Sequence, residues 1–130
     1  MTEKHTVLFL CQHNAGRSQL GAGLLEILAG DRHTATSAGL SPADTVNPAI
    51  AATVAELGLD ISDRTPRAVT VEDLENADIV VAMKPGLTLP ATPSGRFLEW
   101  KFPDPTDWSA ENVRPLREAV AARIQAELLT

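Results

Sequence analysis

The chain of 130 residues contains a single cysteine, Cys11. A disulfide needs two sulfurs, so none can form within the chain. A lone cysteine is most often a small buried apolar residue. It becomes a candidate nucleophile only where its surroundings favour a thiolate. The stretch around Cys11 therefore decides how this residue is interpreted.

The sequence also lacks an excess of positive charge and a long apolar run. Its net charge of −6 argues against nucleic acid or an anionic membrane as the main partner. The apolar run over residues 7–10 is too short for an export signal or a membrane span. We therefore expect a cytoplasmic protein, in which a free thiolate is chemically available. The length and the 44% hydrophobic content are typical of one globular domain, which we expect over residues 1–130.

Cys11 lies between a predicted strand and a predicted helix. The apolar run before it indicates a buried strand, and leucines at helical spacing after it indicate an amphipathic helix. The turn between Cys11 and Arg17 consists of Gln12, His13, Asn14, Ala15 and Gly16. Such a turn points backbone N–H groups towards the positive end of the helix dipole, which favours a bound anion. We expect this turn to bind an oxyanion.

Residues in and after the turn suit nucleophilic chemistry on that anion. A Cys11 thiolate among converging amides is a nucleophile, and Arg17 offers a planar fork of donors for a tetrahedral oxyanion. The Ser18 hydroxyl is placed to donate to the sulfur. Asn14 tolerates a left-handed backbone and is interpreted as a loop-forming residue. His13 is interpreted as a rim or packing residue, and no metal site is expected because no second ligand has a useful spacing.

Strands and helices alternate along the rest of the chain. This order predicts a parallel sheet with helices on both faces and ligands at the carboxyl ends of the strands. Cys11 lies at such an end, and loops holding Lys84 and Asp104 are expected to open on the same edge. The predicted strands are Thr6–Leu10, His33–Ser37, Ile79–Met83 and Phe97–Trp100. The predicted helices are Arg17–Ala29, Pro48–Leu57, a short helix capped by Thr70, and Ser109–Leu129, with Pro115 in the first turn of the last helix or at its true start.

The sequence around these residues resembles the low-molecular-weight protein tyrosine phosphatase family. The resemblance is carried by the stretch Cys11–Ser18, by the Asp104-Pro105 pair and by Thr36–Gly39, and it extends over nearly the whole chain. It implies a flavodoxin-like three-layer fold with four parallel strands in the order 2-1-3-4. It also implies that Asp104 is the general acid and that the amides of residues 12–17 hold the oxyanion.

Within that family, the His-Asn-Ala-Gly-Arg-Ser form of residues 13–18 resembles the arsenate reductases. Phosphatases of the family generally carry tyrosines after the Asp-Pro pair, and this chain has no tyrosine. Thioredoxin-coupled reductases carry two more cysteines after the third strand, which are missing here. The resemblance then implies the single-cysteine type, without a bound cofactor. Its co-substrate is mycothiol in actinobacterial relatives, and a mycoredoxin or glutaredoxin-like protein completes the reduction.

Two other functions remain open at this stage. One is a phosphatase acting on phosphotyrosine or a small phosphoester, because phosphate, like its analogue arsenate, has the shape and charge that the loop would bind. The other is a non-catalytic oxyanion-binding module, which the combination of Cys11, Arg17 and Asp104 disfavours. Lys84 either recruits an anionic thiol or is a solvated charge, and Asp107 has no assigned role. The aromatic residues Trp100, Phe102 and Trp108 either line the entrance or belong to the core.

Overall fold

A central sheet positions Cys11 at the edge where its parallel strands end, the carboxyl edge. The computed structural model describes residues 5–102 and 105–129. Its four strands are β1 (His5–Cys11), β2 (His33–Gly39), β3 (Ile79–Ala82) and β4 (Arg96–Glu99). All neighbours pair in parallel, in the order β2-β1-β3-β4, which confirms the predicted topology. Cys11 is the last residue of β1, a strand with neighbours on both sides.

Four helices cover the two faces of this sheet. They are α1 (Arg17–Ala29), α2 (Pro48–Ala55), α3 (Val71–Asn76) and α4 (Ala110–Leu128). Alternate residues of β1 point to opposite faces, so Val7 and Phe9 join one core cluster with residues of α1, α2 and α4. Leu8 and Leu10 join a second cluster, with Leu74 of α3. The predicted three-layer α/β architecture is confirmed. No helix in the described ranges is long and apolar enough to cross a bilayer.

Polar caps start the helices where the sequence predicts them. The Asn47 side chain accepts hydrogen bonds from the second and third amides after it, with Pro48 as the first helical residue of α2. Thr70 and Asp73 form a reciprocal capping box at α3. These caps satisfy N–H groups that a helix start leaves without partners.

The end of α2 differs from the prediction. The helix ends at Ala55, so Leu57 lies outside it and is 46% exposed, not part of the buried stripe. The amides of Leu57 and Gly58 bond to carbonyls three residues back, which tightens the last turn. Gly58 then takes a φ of 97°, a left-handed conformation that suits glycine. Strand β2 also continues to Gly39, two residues beyond the predicted end, because it stays paired with β1 up to Cys11.

Both predicted positions of Pro115 are wrong. Helix α4 starts at Ala110, with Ser109 as its cap, so Pro115 is its sixth residue and lies beyond the first turn. A proline there removes one helical donor. Its exposed position lets water reach the carbonyl that loses its partner. Packing of Val113 and Val120 into the core keeps the helix continuous on both sides of the proline.

A charged cluster joins α2 to α4. Arg117 is only 8% exposed, and its Nη1 donates to the Thr53 carbonyl at 2.9 Å and to Glu56 at 2.7 Å. Arg114 donates to the same carboxylate at 2.6 Å. The hydrogen bonds from Arg114 and Arg117 lower the pKa of Glu56 from 4.5 to about 2. The Glu56 carboxylate thereby joins Arg114 to the nearly buried Arg117, whose Nη2 also donates to Glu118 at 2.6 Å.

The substitution Glu56→Gln tests this cluster through the pH dependence of stability. Because the folded pKa of Glu56 lies below its ordinary value, its ionised form stabilises the fold fully above pH 4.5. That contribution disappears as the pH falls towards 2. We therefore expect the variant to be less stable than the parent near neutral pH, and the difference to shrink through this window. Urea unfolding at a series of pH values measures it.

The matched control is Glu75→Gln, which removes an exposed carboxylate from α3. It is expected to leave the free energy of unfolding nearly unchanged at every pH. A Glu56→Gln deficit that stays constant from pH 7 to low pH would contradict the account.

Candidate active site

The loop between β1 and α1 has its carbonyl groups bound on its outer side. Backbone N–H groups of the segment 40–47 donate to four of them. Since the C=O and N–H of a trans peptide point in opposite directions, the amides that follow these carbonyls point away from segment 40–47. The accepting oxygens belong to Cys11, Gln12, His13 and Ala15, at 3.3, 2.7, 2.9 and 2.8 Å from the nitrogens of Leu40, Ser41, Ala43 and Asn47.

Gly39 allows this loop to lie against the end of β2. A Cβ at Gly39 would be 2.7 Å from the Asn14 nitrogen and 3.0 Å from the Gln12 oxygen. Neither backbone atom can give way without displacing the loop, so any larger residue would disturb the site. The Ala38-Gly39 step that the sequence shares with the family thus has a steric reason.

A buried network behind the loop orients the Cys11 sulfur. Asn14 is fully buried at a φ of 51°, and its Oδ1 accepts from the Arg67 backbone N–H at 2.9 Å. That N–H can only donate, which fixes the orientation of the side-chain amide. The Asn14 Nδ2 therefore donates to Ser18 Oγ at 2.8 Å, and Ser18 Oγ lies 2.9 Å from Cys11 Sγ, where the hydroxyl is the donor whenever the sulfur is a thiolate. Gln19 supports the network, because its Nε2 donates a hydrogen bond to the Asn14 carbonyl at 3.1 Å.

Arg17 starts α1 beside the cysteine. Burial lowers the pKa of Arg17 below its ordinary value, and the nearby charge of Cys11 partly offsets the effect. A guanidinium stays protonated at neutral pH, so the site keeps a fixed cation. Its central carbon lies 5.8 Å from the centre of the Trp108 ring, within range of a cation–π interaction.

These groups surround a cleft of about 340 Å³. Cys11 and the loop residues Gln12, His13, Ala15, Gly16 and Arg17 line one part of it. Asn47, Lys84 and Trp108 line the rest. The structure thus brings Lys84 and the loop together, as the sequence predicts for the carboxyl edge. Asn14 does not line the cleft but supports the loop from behind.

Among the remaining candidates that the structure describes, Trp108 lines the cleft, whereas Asp107 and Trp100 do not. Asp104 lies outside the described residues. Asp107 does not line the cleft; hydrogen bonds from Ser109 and Asn112 lower its pKa and make it a turn residue before α4. Trp100 is a core residue at 1% exposure, whereas Trp108 is 42% exposed at the cleft. Within residues 5–102 and 105–129, no group of three His, Cys, Asp or Glu side chains could hold a metal ion.

Three residues of the site were not identified from the sequence. Asn47 appears there only as a helix cap, although its backbone also binds the loop. Arg67 acts on Asn14 through its backbone N–H, which no side-chain pattern could reveal. Gln19 left a usable signal: it is a polar residue among the buried residues of α1, at 2% exposure, and a buried amide needs hydrogen-bond partners.

The fold and the cleft define a class of α/β proteins with a cysteine and an arginine in one loop at the carboxyl edge of a parallel sheet. The comparison of sequences gives the family: the chain belongs to the low molecular weight phosphotyrosine protein phosphatases, whose family model matches residues 6–128. An arsenate reductase from Halalkalibacterium halodurans is 35% identical over 128 residues, covering 96% of this chain and 90% of that protein. A glutaredoxin arsenate reductase from Synechocystis is 30% identical over 122 residues, covering 92% of each.

Solved structures show the same fold. The thioredoxin-dependent arsenate reductase of Corynebacterium glutamicum superposes with a TM-score of 0.80 at 32% identity over 95% of this chain, which spans 59% of that protein's length. An arsenate reductase in the phosphate binding state gives 0.80 at 30% identity, covering 94% and 95% of the two chains. A low molecular weight protein tyrosine phosphatase from T. tengcongensis also gives 0.80, at 25% identity, covering 94% and 96%. The fold alone therefore does not separate reductases from phosphatases.

The variant Ser18→Ala tests the network behind the sulfur. It removes the hydroxyl donor from Cys11 while keeping a small buried side chain. Losing one hydrogen bond to a charged group costs about 1.5 kcal/mol, so we expect iodoacetamide to alkylate Cys11 about tenfold more slowly at neutral pH. Alkylation followed by mass spectrometry measures this. Ser94→Ala, at an exposed serine, is the control, and equal rates in both variants would contradict the proposed role of Ser18.

Proposed function

We propose that the protein is an arsenate reductase that works as an arsenate–thiol transferase, with mycothiol as its co-substrate. The observation that carries the proposal is the isolation of Cys11: it lies in an oxyanion-binding loop, oriented by Ser18, in a chain without another cysteine. The resemblance of residues 13–18 to arsenate reductases, and the arsenate reductases among the relatives of this chain, support arsenate as the substrate.

In the first step, the Cys11 thiolate attacks arsenic. A sulfur–arsenic bond forms and one arsenic–oxygen bond breaks, while Arg17 and the loop amides hold the remaining oxygens. The departing oxygen needs a proton, which the resemblance assigns to Asp104 as general acid. Arsenic remains As(V), and the thiolate has been replaced by a covalent adduct on Cys11.

In the second step, an external thiol that has lost its proton to solvent attacks the same arsenic as a thiolate. A new sulfur–arsenic bond forms, the bond to Cys11 breaks, and Cys11 returns as a thiolate with the electron pair. Arsenic is still As(V), so the reducing electrons come later, when a mycoredoxin or glutaredoxin-like protein attacks the released adduct. The protein therefore needs no second cysteine.

The identity of the thiol is the finer part of the proposal. Relatives couple to different reductants, since one is named for glutaredoxin and another is described as thioredoxin-dependent. An internal disulfide relay requires further cysteines, which this chain does not contain. A small thiol that reaches Cys11 directly fits that constraint, and mycothiol is the one implied by the resemblance.

A phosphatase acting on an aromatic phosphoester is the second candidate. Arsenate and phosphate have the same shape and charge, so a loop that holds one of them can hold the other. Although the chain has no tyrosine, Trp108 places an exposed aromatic surface beside the loop, where the ring of such a substrate could lie. This observation keeps the phosphatase reaction as the alternative to be tested.

The substitution Cys11→Ser tests whether the protein is an enzyme at all. A serine hydroxyl is a far weaker nucleophile than a thiolate, so we expect at least about a thousandfold loss of turnover. The side chains are nearly the same size, so the melting temperature should change little. Turnover close to that of the parent would refute the nucleophile, and full biological activity of the variant would support a non-catalytic oxyanion-binding module.

A panel of reductants tests the reaction. Purified protein is supplied with arsenate and with mycothiol plus its redoxin, glutathione plus glutaredoxin, or thioredoxin, beside a para-nitrophenyl phosphate assay. We expect arsenite only with mycothiol and its redoxin, because Cys11 must pass its arsenic to a small thiol. Strong ester hydrolysis without arsenate turnover under any reductant would contradict the proposal in favour of the phosphatase.

A further inference from the structure

We propose that Trp108 forms a carrier subsite, which binds the non-reacting part of the thiol co-substrate and favours a small thiol linked to a sugar-like ring, while Lys84 beside it stabilises the incoming thiolate. The inference rests on the transferase function proposed above and specifies which thiol the cleft accepts. It follows from the direction of attack, the room in the cleft and the two side chains that bound it.

The direction of attack places the thiol at the open side of the cleft. Displacement at arsenic is in line, so the incoming sulfur approaches opposite the Cys11 sulfur that leaves. Cys11 is 6% exposed at the inner end of the cleft, so this approach comes from the outer side. One sulfur–arsenic bond forms, the other breaks, its electron pair returns to Cys11, and no oxidant or further reductant takes part in this step.

The cleft has room for more than the oxyanion. An arsenate with four oxygens takes the place of roughly four water molecules, or about 120 Å³. The cleft measures about 340 Å³. More than half of it therefore remains for a second molecule, beside Asn47, Lys84 and Trp108.

Trp108 provides a fixed and accessible aromatic surface there. Its ring is held 5.8 Å from the Arg17 guanidinium carbon, and a Cβ on Gly16 would contact it at 3.8 Å. The residue is nevertheless 42% exposed, whereas Trp100 is 1% exposed in the core. A tryptophan that is anchored on one side and open on the other suits a ring with a flat apolar face and hydroxyls at its rim.

Lys84 sets the charge of the subsite. It follows the buried Met83 at the end of β3, and it is an exposed cation on the cleft. Arg17 and Lys84 are the cations among the described lining residues, which include no carboxylate. Once Arg17 holds the oxyanion, one ammonium remains for the incoming thiolate. Lys84 therefore acts on the incoming thiolate, and the preference for a ring-bearing carrier over a linear one comes from the exposed face of Trp108.

Steady-state kinetics with two thiols test the subsite. We expect Trp108→Leu to raise the KM for mycothiol about tenfold and to change the KM for 2-mercaptoethanol, which has no ring-bearing carrier, by less than about twofold. Lys84→Gln should raise both values, because the ammonium acts on the thiolate itself. The controls are Phe97→Leu, an exposed aromatic on β4, and Lys101→Gln, an exposed lysine that does not line the cleft.

An equal change for both thiols in Trp108→Leu would overturn the inference, since the indole would then act only through Arg17. No change for either thiol would overturn it as well. In both cases arsenate turnover by the parent protein would still support the transferase function.

Fluorescence quenching tests binding without turnover. In Cys11→Ser with saturating phosphate, mycothiol should lower the quenching of Trp108 by acrylamide, and glutathione should not. Trp108→Phe supplies the background from buried Trp100. If mycothiol protects Trp108 but the parent protein turns over arsenate with none of the thiols, the subsite is retained and the transferase function is rejected. A lack of protection by mycothiol, or equal protection by glutathione, would reject the subsite.

Discussion

The hydrogen bond from the Arg67 backbone N–H to Asn14 Oδ1 is the constraint on which the site depends. It fixes the amide of a fully buried residue held at a φ of 51°. The amide in turn donates to the Ser18 hydroxyl, which lies beside the Cys11 sulfur. The donor lies 53 residues away in sequence and is held by the pairing of residues 67–69 with Gly39 at the end of β2. The surroundings of the Cys11 sulfur therefore depend on contacts at the carboxyl end of β2 as well as on the loop itself.

Much of this arrangement could be predicted from the sequence. Apolar runs and helical spacing give the strand before Cys11 and the helix after it, and the alternation of elements gives the parallel sheet. The strand order came from the family resemblance. The sequence could not reveal Arg67 or the carbonyl bonds from residues 40–47, because backbone donors carry no residue signature. Leu57 and Pro115 were misplaced because local turn tightening and tertiary packing override simple helix signals.

Because the chain has no second cysteine, the proposed reaction separates the capture of arsenate by the protein from its reduction. In the proposed reaction the protein captures arsenate and activates it for a thiol, and the change of oxidation state occurs on a released molecule. Different parts of the cleft would serve these two tasks. Cys11 and its loop would hold the arsenate, and Lys84 and Trp108 would face the co-substrate. Gly39 leaves room for the loop, and Asn14 supports both the loop and the Ser18 hydroxyl, so residues away from the cleft belong to the same functional unit.

A single-turnover reaction without any redoxin tests the central claim most directly. Stoichiometric protein is mixed with arsenate and mycothiol, and the products are separated by liquid chromatography with arsenic-specific mass spectrometry. The account predicts a mycothiol–arsenate adduct, no arsenite, and Cys11 recovered as a free thiol. Arsenite appearing together with Cys11 in a disulfide would contradict it, because reduction would then have occurred on the protein.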